Sequence, residues 1–236
     1  MSVPRFRIGL VALAAILLTA CDVETRATGP TRDDPIEIGG DGVERANVEL
    51  DMGAGEMTLR GGASKILEGR FEYNVDAWKP LVKSSINGSD ATITIRQPEH
   101  VRMHGNQRYS WDLQFNDRLL LDLALNCGAG KAQLDLGSLH LRHVEVHIGA
   151  GKVDLDLRGK PTRDYDVKIS GGVGEVSVQL PQDTGIWAEA HGGLGKIDVS
   201  GLEKHGDHWE NDLYDKAKVN VHVEVTGGIG KIRITS

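Results

Sequence analysis

Apolar residues in the central part of the chain alternate with polar ones, and the alternation changes phase at a pair of glycines. Around Gly149 and Gly151 the apolar positions are first 144, 146, 148 and 150, the last of them between the glycines, and then 153, 155 and 157. Strand side chains alternate between two faces, so a change of phase requires one additional residue. Glycine permits the backbone torsions of such a bulge. The pattern predicts two strands that meet at a corner.

The same pattern recurs with successive spacings of 75, 21, 23, 21 and 35 residues. A period of about 21 to 23 residues indicates units that bury their apolar faces by stacking on one another. We therefore predict an all-β fold, a single-stranded parallel β-helix or solenoid with one coil per repeat. We also expect Ala150 to face the core, so that Ala150→Glu would prevent folding. The six copies begin at Gly53, Gly128, Gly149, Gly172, Gly193 and Gly228.

Two regions of one continuous structural unit follow from this pattern. Residues 119–236 contain the closely spaced solenoid repeats, and residues 45–118 form a β-rich capping region at the N-terminal end. Within the latter, residues 66–115 depart from the repeat and include a hairpin turn at 87–88. This segment fits either three further coils or antiparallel strands that cover one end of the stack. The chain ends in the sixth copy, which leaves an exposed strand edge unless residues 66–115 cover it.

The N-terminus has the features of an export signal. Arg5 and Arg7 precede an apolar run at 8–17, which is short for a membrane span. The following Leu-Thr-Ala-Cys resembles the lipobox of bacterial lipoproteins. It predicts a signal peptide at 1–21, lipidation (palmitate included) of Cys21, and a flexible linker at 22–44. An ordinary signal peptide or an N-terminal membrane anchor stays an alternative. The expected location is the bacterial cell envelope, on the extracytoplasmic face of either membrane.

The net charge and the cysteine content limit the possible partners and the possible role of Cys127. The net charge is -7, and removal of residues 1–21 takes away two arginines and no acid, which gives -9. This charge argues against nucleic acid as a partner. If Cys21 carries lipid, Cys127 has no partner within the chain, and its phase predicts a buried thiol.

The motifs also point to a family. Residues 52–63 (Met-Gly-Ala-Gly-Glu-Met-Thr-Leu-Arg-Gly-Gly-Ala), residues 67–75 and the Trp-Lys-Pro at 78–80 resemble the toast-rack family of bacterial envelope proteins. The later repeats are similar to adhesin-like β-solenoid domains, which include the C-terminal domain of cell-wall stress regulators. The resemblance implies the solenoid fold and an envelope role. This chain lacks the multi-helix membrane segment of those regulators.

No cofactor is predicted. The Gly-Ala-Gly-Lys motif is followed by a strand, whereas a phosphate-binding loop continues with Ser or Thr into a helix. The Gly-Gly-x-Gly copies have Val176, Ile197 and Ile232 where calcium-binding repeats have aspartate. His143 and His147 lie on one strand face without metal-ligand spacing, so we expect a solvated surface there.

The candidate partner-binding residues lie in an insert at 203–218. His205, His208, Trp209 and Tyr214 occur there together with acidic residues. Amphipathic aromatic residues often anchor a loop while its polar neighbours stay hydrated. The insert is therefore either a hydrophobic anchor, which its Trp and Tyr favour, or a loop that binds a metal or another ligand.

These observations predict a non-enzymatic, lipid-anchored structural or binding module of the cell envelope, adhesin-like in kind. Its partners would be the membrane, through the lipid, and an envelope protein, a glycan or a second copy of itself. One alternative is an accessory protein of envelope-stress sensing. Another is a polysaccharide-active β-helix enzyme, although no catalytic residue is predicted and the Gly-x-Ser-x-Gly motif is absent.

Overall fold

The computed structural model describes residues 28–98 and 107–236. Cys21 and the signal peptide lie outside these residues, so their assignments stay predictions. The described part of the chain contains one 3₁₀ turn and no helix with the length and hydropathy of a membrane span. Its strands are β1 (Arg32–Ile38), β2 (Arg45–Arg60), β3 (Leu67–Tyr73), β4 (Leu81–Asn87), β5 (Asp90–Arg96), β6 (Tyr109–Phe115), β7 (Leu120–Asp135), β8 (His140–Asp156), β9 (Tyr165–Gln179), β10 (Gly185–Ser200), β11 (Glu203–His205), β12 (His208–Glu210) and β13 (Asn220–Thr235).

The six long strands each fold back on themselves. β7 has 16 residues and would extend about 53 Å if it were straight. A link of four residues, 136–139, joins it to β8, its parallel neighbour, and reaches less than about 20 Å. β7 must therefore reverse at its glycine corner. Each long strand contributes its first half to a first sheet and its second half to a second sheet. Both halves bury alternate apolar side chains in a common core, except in β10, whose second half is exposed or only partly buried.

The corners stack directly on one another through glycine. A Cβ atom added to Gly151 would lie 1.9 Å from the carbonyl oxygen of Gly130, and Gly151 has φ +139°. The equivalent distance is 1.7 to 1.8 Å in the other stacked corners, at Gly130, Gly174, Gly195 and Gly230. No other residue fits this position, which confirms the corner predicted from the change of phase.

The order of the coils differs from the order of the chain. The long strands stack as β2, β7, β8, β9, β13 and β10, so the sixth copy lies between the fourth and the fifth. The prediction that the C-terminal strand forms an exposed edge is therefore wrong, and β10 is the last coil. The connection from β10 to β13, residues 201–219, is long enough to bring the chain back into the gap.

The N-terminal end of the stack is closed by a split layer. β5 pairs in parallel with the first half of β2, and β6 pairs in parallel with its second half. Outside them lie β4, antiparallel to β5, and β3 and β1, which extend the second sheet antiparallel from β6. Residues 66–115 thus form one interrupted coil plus antiparallel strands, which combines the two alternatives left by the sequence.

A glutamine side chain closes the corner at this end. The Gln97 Oε1 atom accepts a hydrogen bond from the Ala54 amide (2.9 Å), and its Nε2 group donates one to the Ala54 carbonyl (3.2 Å). The Gln97 amide therefore takes the place of the peptide group that another coil would provide. These bonds pair the backbone N–H and C=O groups of half-buried Ala54 at the end of the stack, where the next coil is missing.

Two other predictions concern single residues or short segments. Cys127 is buried, as predicted, and burial raises the pKa of its thiol. Ala150 is exposed, so its predicted position in the core is wrong. The residue between the two glycines lies on the convex outer side of the corner, where strict alternation of faces no longer applies. The ordered fold also begins inside the predicted linker 22–44, because Arg32–Ile38 forms β1.

Candidate ligand-binding groove

A row of polar and aromatic side chains crosses the outer face of the first sheet. The row crosses the adjacent strands β7, β8, β9, β13, β10 and β12. In each long strand the residue lies six positions before the first glycine of the corner, and on β12 it is the residue paired with the one on β10. Equivalent positions in adjacent strands are about 4.8 Å apart, so the side chains form a continuous surface. In spatial order the row is Asp122, His143, Asp166, His222, Trp187 and Glu210.

Aromatic and imidazole rings gather at the end of this row. The Trp187 ring stacks on His208 with centroids 5.4 Å apart and an interplanar angle of 24°. His222 meets Trp187 edge-on at 5.8 Å, and Tyr214 lies 5.8 Å from His222. His205 stacks on the far side of His208 at 6.2 Å. Five rings contributed by β10, β11, β12, β13 and the segment after β12 therefore form one cluster.

Hydrogen bonds and carboxylates fix the rings of this cluster. The Tyr214 hydroxyl lies 3.1 Å from His222 Nε2, and His222 Nδ1 lies 3.3 Å from an Asp166 carboxylate oxygen. The two oxygens of Glu210 lie 3.7 Å from the Nε2 atoms of His205 and His208. Desolvation, followed by the nearby carboxylates of Asp215 and Glu210, raises the pKa of the Tyr214 hydroxyl.

The insert is held against β10 by one asparagine. The Asn211 side chain accepts a hydrogen bond from the Ile186 amide (2.9 Å) and donates one to the Thr184 carbonyl (2.8 Å). Its own backbone amide donates to the Ile186 carbonyl. These bonds continue the β10–β12 ladder by one residue, so the ring cluster rests on a defined backbone.

A surface groove of about 500 Å³ runs beside the cluster. Its lining includes the rings of Trp187, Tyr214 and His222 together with the carboxylates of Asp166 and Glu224. A groove of this kind combines apolar ring faces with several hydrogen-bonding groups, which is the usual composition of a small-ligand site. The lining residues are His143, Asp166, Val167, Lys168, Trp187, Tyr214, His222 and Glu224.

The structure brings together three of the four predicted partner-binding residues. His205, His208 and Tyr214 all belong to the cluster. Trp209 does not, because successive residues of β12 point to opposite faces. Its ring packs against the core, and the Lys204 ammonium group lies 5.0 Å above it. The insert thus contains both features considered from the sequence, an aromatic anchor and a set of exposed rings.

Two residues of the cluster were missed, Trp187 and His222. They lie outside the insert, in β10 and β13, and occupy equivalent positions of two repeats. Comparison of this repeat position across all six copies would have placed them on one surface row. Within residues 28–98 and 107–236, no group of three or more His, Cys, Asp or Glu residues is arranged to hold a metal ion.

The geometry defines a class of protein, a β-solenoid of bent parallel strands with a groove on one outer face. The family model described as the N-terminal domain of toast_rack, DUF2154, matches residues 27–179. The chain therefore belongs to the toast-rack family, as its motifs predicted.

Two solved structures align with nearly the whole described chain, and one of them has a similar fold. A candidate cell adhesion protein from Clostridium sporogenes is similar at 30% identity and a TM-score of 0.84, over 87% of this chain and 99% of that chain. A candidate adhesin from Bacteroides fragilis aligns at 8% identity over 86% of this chain and 96% of that one. Its TM-score of 0.29 is too low to support an argument. No curated protein matches the sequence.

Proposed function

We propose that this chain is a non-enzymatic, adhesin-like binding module of the bacterial cell envelope, tethered by lipid on Cys21, which binds a surface carbohydrate in the groove beside Trp187. The groove carries the proposal, because it presents aromatic rings and hydrogen-bonding groups on one accessible surface. The similar Clostridium sporogenes structure is that of a candidate cell adhesion protein, which supports a binding role.

Carbohydrate suits the chemistry of the groove. The ring faces of Trp187 and Tyr214 offer apolar surface to the C–H faces of a sugar, and both side chains are amphipathic. The carboxylates of Asp166 and Glu224 accept hydrogen bonds from hydroxyl groups, and the imidazole of His143 can donate or accept. Among the described residues that line the groove, Lys168 is the one lysine or arginine, whereas Asp166 and Glu224 contribute two carboxylates. The set therefore recognises a neutral or amino sugar better than an anion.

The groove lies toward the end of the stack that would be farthest from a membrane, where a ligand outside the cell could reach it. The first described residues lie at the capped end, where the Gly29 amide donates to the Asn74 carbonyl and β1 is the outermost strand. In the second sheet, β10 lies eight strand positions from β1, or about 38 Å. A lipid on Cys21 would therefore hold the capped end near the membrane and leave the β10 end free.

We expect the lipid-free protein, residues 22–236, to bind a subset of polysaccharides on an array of bacterial surface glycans. Trp187→Ala should reduce the affinity at least tenfold, because it removes the central ring of the cluster. Tyr214→Phe should reduce it less, since the ring is kept and only the hydroxyl is lost. The measurement is calorimetric titration with the best glycan, with thermal melting to verify that each variant is folded.

Lys131→Gln is the matched control, because Lys131 lies after the corner of β7, far from the groove, and should bind like the wild type. Equal affinities for the wild type and Trp187→Ala would contradict the proposal. Release of shorter sugars during the titration, followed by chromatography, would instead favour the polysaccharide-active enzyme.

A further inference from the structure

The two ends of the coil stack are closed to different extents. At the β2 end, β5 and β6 cover both halves of the strand and Gln97 covers the corner. At the β10 end, β12 pairs only with residues 187–189. Within the part of the chain that the structure describes, residues 190–200 of β10 pair with β13 on one side and with no strand on the other.

The direction of the free backbone groups follows from one hydrogen bond. The Ser236 amide donates to the Ser200 carbonyl, so the backbone groups of Ser200 point toward β13. Alternate residues of a strand point their N–H and C=O groups to the same side. The groups of Ile197 and Val199 therefore point to the open side, where they can pair with an additional strand.

The corner of β10 restricts which strand can be added. Cβ atoms built on Gly193 and Gly195 would lie 2.5 and 1.7 Å from the carbonyl oxygens of Gly228 and Gly230 in β13. Each coil thus directs two corner carbonyls at the coil stacked on it. The carbonyls of Gly193 and Gly195 point in the same way to the open side, so an added parallel strand needs glycine at both positions.

An apolar cleft of about 70 Å³ lies behind the same corner. In the first three long strands Met52, Cys127 and Ile148 precede the corner and fill this space. The equivalent residues of the last three strands are glycines, at positions 171, 227 and 192. The rim consists of exposed apolar residues, Val173 (53% exposed), Ile229 (53%) and Leu194 (71%). A strand added to β10 as the next coil would close the end of this surface beside Leu194.

A second copy of the chain does not fit this edge. The hairpin of β11 and β12 already occupies the place beside β10 in the first sheet. Two copies joined edge to edge would both need that place. The closed β2 end, with Gln97 and β5 and β6, also prevents stacking of one copy on another from end to end. A single extended segment that enters along the corner and the second half of β10 meets neither obstacle.

We propose that residues 193–200 of β10 bind an extended segment of a partner polypeptide, which adds as a parallel strand with the pattern Gly-x-Gly-acidic-apolar-basic-apolar. Strand addition of this kind takes affinity from main-chain hydrogen bonds and specificity from alternate side chains. The acidic residue would lie beside Lys196 and the basic residue beside Asp198, two outward side chains whose charged groups are 3.3 Å apart. The proposal does not depend on carbohydrate binding in the groove.

Hydrogen exchange of the full mature chain, followed by NMR, tests the open edge directly. The amides of Ile197 and Val199 should exchange at least tenfold faster than those of Lys196 and Asp198, which bond to β13. Protection of all four amides to the same degree would show that the edge is already covered, and would overturn the proposal.

The partner chemistry is tested with the fluorescent peptide Ser-Gly-Val-Gly-Glu-Val-Lys-Val and a control peptide with alanine at both glycines. Fluorescence anisotropy should give at least tenfold weaker binding for the control. Val199→Pro removes an N–H group that points to the open side and should abolish binding. It also removes part of the packing of Val199 against the core, so the melting temperature should fall slightly, and less than for Asp198→Pro, because proline is tolerated at a strand edge. Asp198→Pro removes an amide that bonds to β13 and should lower the melting temperature. Equal binding of both peptides, or no binding at millimolar concentration, would refute the proposal.

Discussion

Replacement of Gly151 by alanine is expected to leave the protein largely unfolded at room temperature. The new methyl group would lie 1.9 Å from the Gly130 carbonyl oxygen, well inside contact distance, and φ is +139°, which side chains rarely adopt. Gly151 lies in β8, between β7 and β9, so the clash cannot be relieved at a free end. We expect a loss of more than about 4 kcal/mol in the free energy of unfolding, a large part of the total for a typical domain.

Gly171→Ala provides the matched control, because it makes the same chemical change one coil further on. A Cβ atom there would meet Ile148 and Val176 at 3.6 and 3.8 Å, which are ordinary contacts. This variant should melt at or slightly above the wild-type temperature, with a gain of about 0.4 to 1 kcal/mol from the less flexible unfolded chain. Circular dichroism during heating measures both variants. A Gly151→Ala protein that melts like Gly171→Ala would show that the corners do not stack through glycine.

The corners could be predicted because their cause is local. Each pair of glycines lies where the apolar alternation changes phase, and both signals are visible within about a dozen residues of sequence. Burial of Cys127 follows from the same phase, as does burial of the apolar positions 144, 146 and 148 before the corner of β8 and 153, 155 and 157 after it. These features depend on the local conformational preferences of strand and corner residues, and the same residue pattern occurs in all six repeats.

The order of the coils could not be predicted in the same way. β9, β10 and β13 carry nearly identical corner motifs, so local sequence does not decide which of them become neighbours. The decision depends on the connections, since residues 180–184 are few and residues 201–219 are many. The long connection lets β13 return between β9 and β10, where both of its edges are paired.

The candidate site was predicted only in part for the same reason. His205 and His208 are close in sequence, whereas Trp187 and His222 are 35 residues apart and become neighbours only because β13 pairs with β10. Trp209 was assigned to the site by its sequence proximity, but alternation along β12 turns it to the other face. Identification of the whole cluster requires the order of the strands.

The strongest test of the core introduces a charge at Val153. This residue is fully buried in the second half of β8, and its neighbours on the adjacent strands are Ala132 and Val176. Val153→Asp would bury a carboxylate without a partner, so we expect a loss of about 4 to 5 kcal/mol or complete unfolding. Ala150→Glu should instead be tolerated, because Ala150 lies on the exposed side of the corner.

Comparison of these two variants tests whether a side chain at the corner points outward while a side chain in the adjoining strand points into the core. Both introduce a carboxylate into β8, at positions three residues apart, one on the exposed side of the corner and the other in the core. Denaturant unfolding followed by tryptophan fluorescence should give a midpoint near that of the wild type for Ala150→Glu and no folded baseline for Val153→Asp. The opposite ranking would mean that alternation continues unchanged through the corner and that the residue between the glycines faces the core.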